Sequence, residues 1–214
     1  MKELQTFVEA VVTLFAIINP IYVLPIFSSL TSDVSLSERR MMFRTAAIVG
    51  SLTVMTVGLV GEIALSRVFG VGLGSLEMAC GVLLVVVCVK YMIADSPEPP
   101  AFAPGVESEK RRRQLIARAV SPMACPALVG PGSIVTAILI VNRNGYLMGI
   151  AAMATASLLV VVVMNWGHVI TRVLGRIGSL IVSRVLMIFL AAIGMEFIYR
   201  GIVQWFPLLK EATR

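Results

Sequence analysis

The chain has 214 residues, of which 58% are apolar and 14% are charged. Soluble globular domains contain about 45–50% apolar and about 25% charged residues, so this composition argues against an ordinary soluble protein. The net charge of +6 is spread between apolar runs and forms no continuous basic patch, which argues against a nucleic-acid partner. An integral membrane protein in contact with the lipid bilayer is predicted.

Apolar stretches bounded by charges predict the membrane-spanning helices. A helix needs about 20 apolar residues to cross a bilayer. We expect an all-α membrane protein with six transmembrane helices, near residues 4–30, 43–65, 71–93, 116–141, 146–170 and 180–204. The first stretch is predicted to be retained, because Glu9 interrupts it and no small-residue cleavage site follows.

A proline-rich and basic linker divides the chain into three parts. Residues 94–115 contain four prolines followed by the run Lys110 to Arg113, which is typical of a solvated cytoplasmic segment. Residues 1–93 and 116–214 then hold three helices each. Most of the 18 basic residues fall after the first, third and fifth helices, so the positive-inside rule predicts both termini outside.

The two three-helix parts resemble each other around one proline each. Residues 16–31 and 127–142 align without gaps at Pro20 and Pro131. Because each part has an odd number of crossings, a repeat would be inverted, as in many secondary transporters. Chance similarity between two apolar segments is the alternative explanation.

Both aligned prolines predict an interruption of their helix. Proline removes a backbone donor and clashes with the carbonyl four residues earlier. Asn19 precedes Pro20, and Gly130 and Gly132 flank Pro131, which weakens helical geometry further. We therefore expect the first and fourth helices to be broken near mid-membrane, although kinks in packed helices are an alternative.

A binding site is predicted between these breaks. Helix N-termini favour an anionic group and unwound carbonyls favour a cation, so a zwitterionic small molecule suits both. The predicted substrate-binding residues are Asn19, Pro20, Ile21, Tyr22, Gly130, Pro131, Gly132, Ser133 and Thr136. No cofactor is expected apart from a coupling proton or sodium ion.

Two charged residues are weaker candidates for coupling or gating. Glu77 lies in the third span and is a candidate to relay a proton or cation, with local pairing as the alternative. Arg184 lies in the sixth span and either contacts a substrate carboxylate or anchors the helix at the interface. Glu196 and Arg200, four residues apart, are expected to form a structural ion pair.

No pattern in the sequence predicts catalysis or a metal. His168 is the single histidine and has no cysteine or carboxylate at ligand spacing. Three cysteines within apolar runs do not predict a disulfide framework. An enzyme is therefore not expected.

Two strings resemble a known family. FAIINPIYVLPIFSSLT (residues 15–31) and LVGPGSIVTAI (residues 128–138) resemble the MarC family of bacterial and archaeal integral membrane proteins. The resemblance implies a multi-pass protein of a prokaryotic cytoplasmic (inner) membrane, grouped with LysE-like exporters, and transport of small neutral amino acids. Tyr22 departs from the family pattern, where a small residue is expected, and this puts the size of the substrate in doubt.

The expected function is secondary transport by alternating access around the two breaks. The alternatives are a non-transporting scaffold or regulatory membrane protein, an exporter of another small metabolite or a drug, and a channel. Assembly as an oligomer is compatible with each of these functions.

Overall fold

The computed structural model describes residues 2–68, 70–93 and 108–206, and the regular structure in this part of the chain is entirely helical. The helices are α1 Lys2–Ile18, α2 Pro20–Leu30, α3 Leu36–Ile63, α4 Leu73–Ile93, α5 Ser108–Arg118, α6 Pro131–Asn165 and α7 Gly167–Trp205. Irregular segments with wider π-helical turns cover Ala64–Val68 and Ala119–Leu128.

Five stretches of the described chain are long and apolar enough to cross a membrane: Lys2–Leu24, Leu36–Gly61, Leu73–Lys90, Pro131–Asn165 and Arg184–Trp205. The protein is therefore an all-α protein with candidate membrane spans, as its composition predicts. A sixth crossing is not among these stretches and stays a prediction. Residues 94–107 of the predicted linker lie outside the described residues, whereas its basic run belongs to α5.

The 35-residue helix α6 reverses direction at Gly145. This glycine has φ 79° and ψ 166°, a left-handed region that glycine enters without steric cost. A Cβ added at Gly149 would lie 3.1 Å from the Cα of Val141. Residues eight positions apart in a straight helix are separated by about 12 Å along the axis. The segments on either side of Gly145 therefore lie side by side as two arms.

Helices α4 and α7 pack against each other in antiparallel fashion. Gly74 of α4 lies against Gly201 of α7, and Gly81 lies against Gly194, so that numbers rise on one helix as they fall on the other. A Cβ at Gly201 would lie 2.6 Å from the carbonyl oxygen of Gly74. Small residues at these positions let the two backbones approach closely.

This close approach predicts a stability effect. Gly201→Ala should force α7 away from α4 and destabilise the protein by about 1–3 kcal/mol, the usual cost of overpacking. Gly178→Ala is the matched control, because a Cβ there meets only the Leu174 side chain at 3.5 Å, an ordinary contact. Thermal unfolding of purified protein should show a lower midpoint for Gly201→Ala alone. Equal midpoints for both variants would contradict this packing.

Arginines of both halves hold the C-terminus of α2. Arg39 donates through Nη2 to the carbonyl of Ser28 at 3.0 Å. Arg118 donates through Nη1 to the carbonyl of Leu30 at 3.2 Å and to Asp33 Oδ1 at 3.1 Å. Carbonyls at the end of a helix lack intrahelical donors, so these cations satisfy them. We call this part of the molecule the basic end. Helix α3 starts there, and α4 therefore starts at the opposite end.

Candidate functional site

The first element of the site is the interruption between α1 and α2. Asn19 has φ 47°, a left-handed conformation that asparagine adopts more readily than most residues. Its N–H donates to the carbonyl of Phe15 at 2.9 Å, which completes α1. Tyr22 N–H donates to the Asn19 side-chain oxygen at 3.3 Å and to its carbonyl at 3.1 Å. Asn19 therefore ends one helix and caps the next.

The second element is the interruption before α6. Val129 and Gly130 have extended backbones, with φ −109° and −93°. Pro131 then takes the first helical position, where its missing N–H costs nothing. The Ser133 hydroxyl donates to the carbonyl of Gly130 at 2.8 Å. No side chain caps the N–H groups at this start of α6.

The two interruptions line one cavity of about 90 Å³. Its wall is formed by residues from α1, α2, α4, α6, α7 and the segment before α6: Ile17, Ile18, Asn19, Tyr22, Ile26, Leu84, Val87, Ala127, Leu128, Gly130, Pro131, Gly132, Ser133, Met187 and Leu190. Both halves of the chain contribute, and none of these side chains carries a charge.

The structure brings six of the nine predicted binding residues to this cavity: Asn19, Tyr22, Gly130, Pro131, Gly132 and Ser133. The other three, Pro20, Ile21 and Thr136, are not among the lining residues. Thr136 is buried, and its hydroxyl has no hydrogen-bond partner within the described structure. Binding of a substrate by any of the nine residues stays a prediction.

Backbone groups give the cavity its polarity. The N–H groups of Gly132 and Ser133 fall in the first turn of α6, where the chain offers no intrahelical acceptor. Together with the helix dipole, they form a site that favours an anionic group. Asn19 also lines the cavity, and its side-chain oxygen, which accepts from the Tyr22 N–H, can accept a second hydrogen bond. The cavity thus offers donors and an acceptor without a charged side chain.

The apolar wall was not predicted from the sequence. Leu84 and Val87 of α4 and Met187 and Leu190 of α7 enclose the side of the cavity that faces the two interruptions. A Cβ added at Gly132 would lie 2.7 Å from Leu84 Cδ1, so the wall is in close contact with the start of α6. No local pattern distinguishes these four residues from the many apolar residues that face lipid.

The two candidate coupling residues lie away from the cavity. Glu77 is fully buried and accepts hydrogen bonds from Arg143 Nη2 and from Gln204 Nε2, both at 2.7 Å. Arg184 is exposed and is not among the lining residues. The predicted ion pair between Glu196 and Arg200 is confirmed, with 2.7 Å between Arg200 Nε and Glu196 Oε1.

Comparison with known proteins identifies the family. The family model described as MarC family integral membrane protein matches residues 4–206. The chain belongs to the MarC family. The UPF0056 membrane protein of Archaeoglobus fulgidus is 32% identical to this MarC protein over 209 residues, covering 94% of each chain. UPF0056 membrane protein YhcE of Escherichia coli is 30% identical over 198 residues, covering 91% of this chain and 90% of its own.

A further relative, a UPF0056 membrane protein of Aquifex aeolicus, is 30% identical over 200 residues and covers 92% of each chain. No solved structure matches this MarC protein. The relatives come from bacteria and archaea and are named as membrane proteins. This MarC protein is thus an integral membrane protein, and its activity has to be inferred from the site.

Proposed function

We propose that this MarC protein is a secondary transporter of small neutral amino acids in a prokaryotic cytoplasmic membrane. The observation that carries the proposal is the shared cavity, to which each half of the chain contributes one helix interruption. Irregular backbone inside a membrane is tolerated where it lines a cavity or is buried in protein. Broken helices that meet at such a cavity are the substrate site of many secondary transporters.

The proposed architecture is six crossings arranged as two inverted three-helix repeats. The reversal at Gly145 supports it, because it divides α6 into two arms that would serve as the fourth and fifth spans. The antiparallel contact of α4 with α7 also supports it, because these helices contain the third predicted span of each half, residues 71–93 and 180–204. The positive-inside rule then favours a cytoplasmic basic end, with both termini outside.

The proposed substrate class follows from the size and polarity of the cavity. The cavity volume of about 90 Å³ is well below the about 300–1,000 Å³ of pockets for drug-sized ligands. The first turn of α6 suits a carboxylate, and the side-chain oxygen of Asn19 suits an ammonium group. The apolar wall suits a small uncharged side chain. These features favour glycine, alanine or serine over a drug.

Alternating access would be driven by a proton or sodium gradient, without a cofactor and without catalysis. In this mechanism the two halves rock against each other around the cavity, which opens in turn to each side. The cavity is formed jointly by the two halves, so a relative movement of the halves changes access to it. A saturable, gradient-coupled flux is the property that separates such a carrier from a channel.

The test is counterflow of labelled glycine, alanine and serine in proteoliposomes that contain the purified protein. We expect saturable uptake of at least one of the three, and none of leucine, whose side chain is larger than those of all three. Empty liposomes control for leakage. If folded protein moves none of the three under an imposed proton or sodium gradient, the proposal fails, and a scaffold or regulatory role becomes the better explanation.

A further inference from the structure

A second polar cluster lies between the halves, at the end of the molecule opposite the basic end. Glu77 comes from α4 in the first half, whereas Arg143 and Gln204 come from α6 and α7 in the second half. The Glu77 side chain has no exposed surface, and the Arg143 side chain is 46% exposed. The buried Glu77 carboxylate is therefore paired with a cation, Arg143, that is partly exposed.

This cluster ties the two halves together. Gln204 also packs on Gly74, where an added Cβ would lie 2.8 Å from Gln204 Oε1. The α4 and α7 backbones are in close contact there, so the halves cannot separate at this end without breaking both hydrogen bonds of Glu77. Arg143 and Gln204 are the only partners of the Glu77 carboxylate within the part of the chain that the structure describes.

One face of α4 connects the cluster to the cavity. Glu77, Cys80 and Leu84 are spaced three and four residues apart, which puts them on the same side of the helix. Cys80 donates through Sγ to the carbonyl of Pro131 at 3.4 Å, and Leu84 lines the cavity. About 10 Å of helix separates Glu77 from Leu84. Separation at Glu77 would thus open a short path to the cavity.

The charge of Glu77 opposes such a separation. A buried carboxylate that loses both a cation and an amide donor is strongly destabilised, whereas a protonated carboxyl tolerates the loss far better. Arg200 and Glu196 of α7 also act electrostatically on Glu77, with opposite signs, and they are paired with each other. Proton uptake by Glu77 is therefore the chemical change that weakens the contact between the halves.

We propose that Glu77, Arg143 and Gln204 form a gate at this end of the molecule, and that the gate opens when Glu77 takes up a proton from the adjoining water. The inference rests on the proposed transport function, because a gate has a role only if the cavity exchanges a solute. It also assigns the coupling ion as a proton, bound at Glu77 between the two halves.

Cys80 is a native reporter of the gate, since it is buried one turn from Glu77. In a background with Cys88→Ala and Cys125→Ala, we would measure the rate at which a small water-soluble maleimide labels Cys80 in nanodiscs. Glu77→Gln, which mimics the protonated carboxyl, should raise this rate about tenfold at a fixed pH by shifting the population to the open state. Glu3→Gln, which removes an exposed carboxylate from the start of α1, should leave it unchanged.

A pH series gives an independent readout. A protein that retains only the exposed Cys125 corrects for the intrinsic pH dependence of the thiol. After this correction, labelling of Cys80 should increase as the pH falls, and Arg143→Gln should move the increase to higher pH, because the carboxylate has lost its cation. Glu77→Gln should remove the pH dependence. This series keeps the test decisive if Glu77→Gln does not fold.

Two results would overturn the gate: equal Cys80 labelling with and without Glu77→Gln, or an Arg143→Gln profile identical to that of the parent. Amino-acid counterflow measured on the same proteins separates this failure from failure of the transport proposal. Flux with an unresponsive Cys80 rejects the gate alone. A responsive Cys80 without flux of glycine, alanine or serine supports the gate and rejects the substrate class.

Discussion

Replacing Gly132 by valine is expected to abolish amino-acid uptake, and replacing it by alanine to reduce uptake about tenfold. A misplacement of about 1 Å can cost an enzyme about 100-fold in rate, and we expect the binding site of a transporter to be similarly sensitive. A Cβ at this position would lie 2.7 and 2.8 Å from the two terminal carbons of Leu84. Leu84 also lines the cavity, so its displacement narrows the space that a substrate occupies. Valine adds two further carbons at the same point.

Counterflow of glycine measures this effect, and thermal unfolding shows whether each variant is folded. Gly178→Ala is the matched control, because it adds the same methyl group where only an ordinary contact with Leu174 is made. Normal uptake by a folded Gly132→Val protein would show that the start of α6 is not part of the transport site.

The second large effect is expected at Asn19, where two substitutions separate backbone from side chain. Asn19→Ala should destabilise the protein by about 2–3 kcal/mol, since alanine neither caps α2 nor adopts φ 47° without strain. Asn19→Gly keeps the backbone conformation and is a tolerable cap, so it should cost only about 0.5 kcal/mol. It nevertheless removes the amide from the cavity.

We therefore expect Asn19→Gly to fold and to lose most of its uptake of glycine. Uptake equal to that of the unmodified protein would assign Asn19 a structural role only, as the residue that ends α1 and caps α2. Unfolding midpoints and counterflow on the same preparations distinguish the two roles. Asn19→Ala adds the comparison in which both the conformation and the amide are lost.

Structural features that depend on residues close together in the chain could be predicted from the sequence. Proline cannot donate a hydrogen bond within a helix, whatever surrounds it, and in the structure Pro20 and Pro131 each begin a helix after an irregular residue. The same holds for Glu196 and Arg200, whose pairing depends only on helical spacing. Such local rules were enough to indicate six of the residues that line the cavity.

Contacts between residues far apart in the chain could not be predicted from the sequence. Glu77 is bound by Arg143 and Gln204, which lie 66 and 127 positions later in the chain, so no local spacing reveals them. Leu84 and Met187 face the cavity rather than lipid only because of how α4 and α7 pack. The reversal falls between the predicted fourth and fifth spans, residues 116–141 and 146–170, but nothing local shows which of the 17 glycines of the chain adopts a positive φ.

The arginine contacts at the basic end have a consequence for biosynthesis. The carbonyl of Leu30 is held by Arg118, which is translated 88 positions later. Until that arginine leaves the ribosome, the end of α2 has to rely on water and on Arg39 for its hydrogen bonds. Helices α1 to α4 are therefore synthesised before this hydrogen bond can form, and it forms only after α5 has been synthesised. An amino-terminal half expressed by itself would lack this last contact.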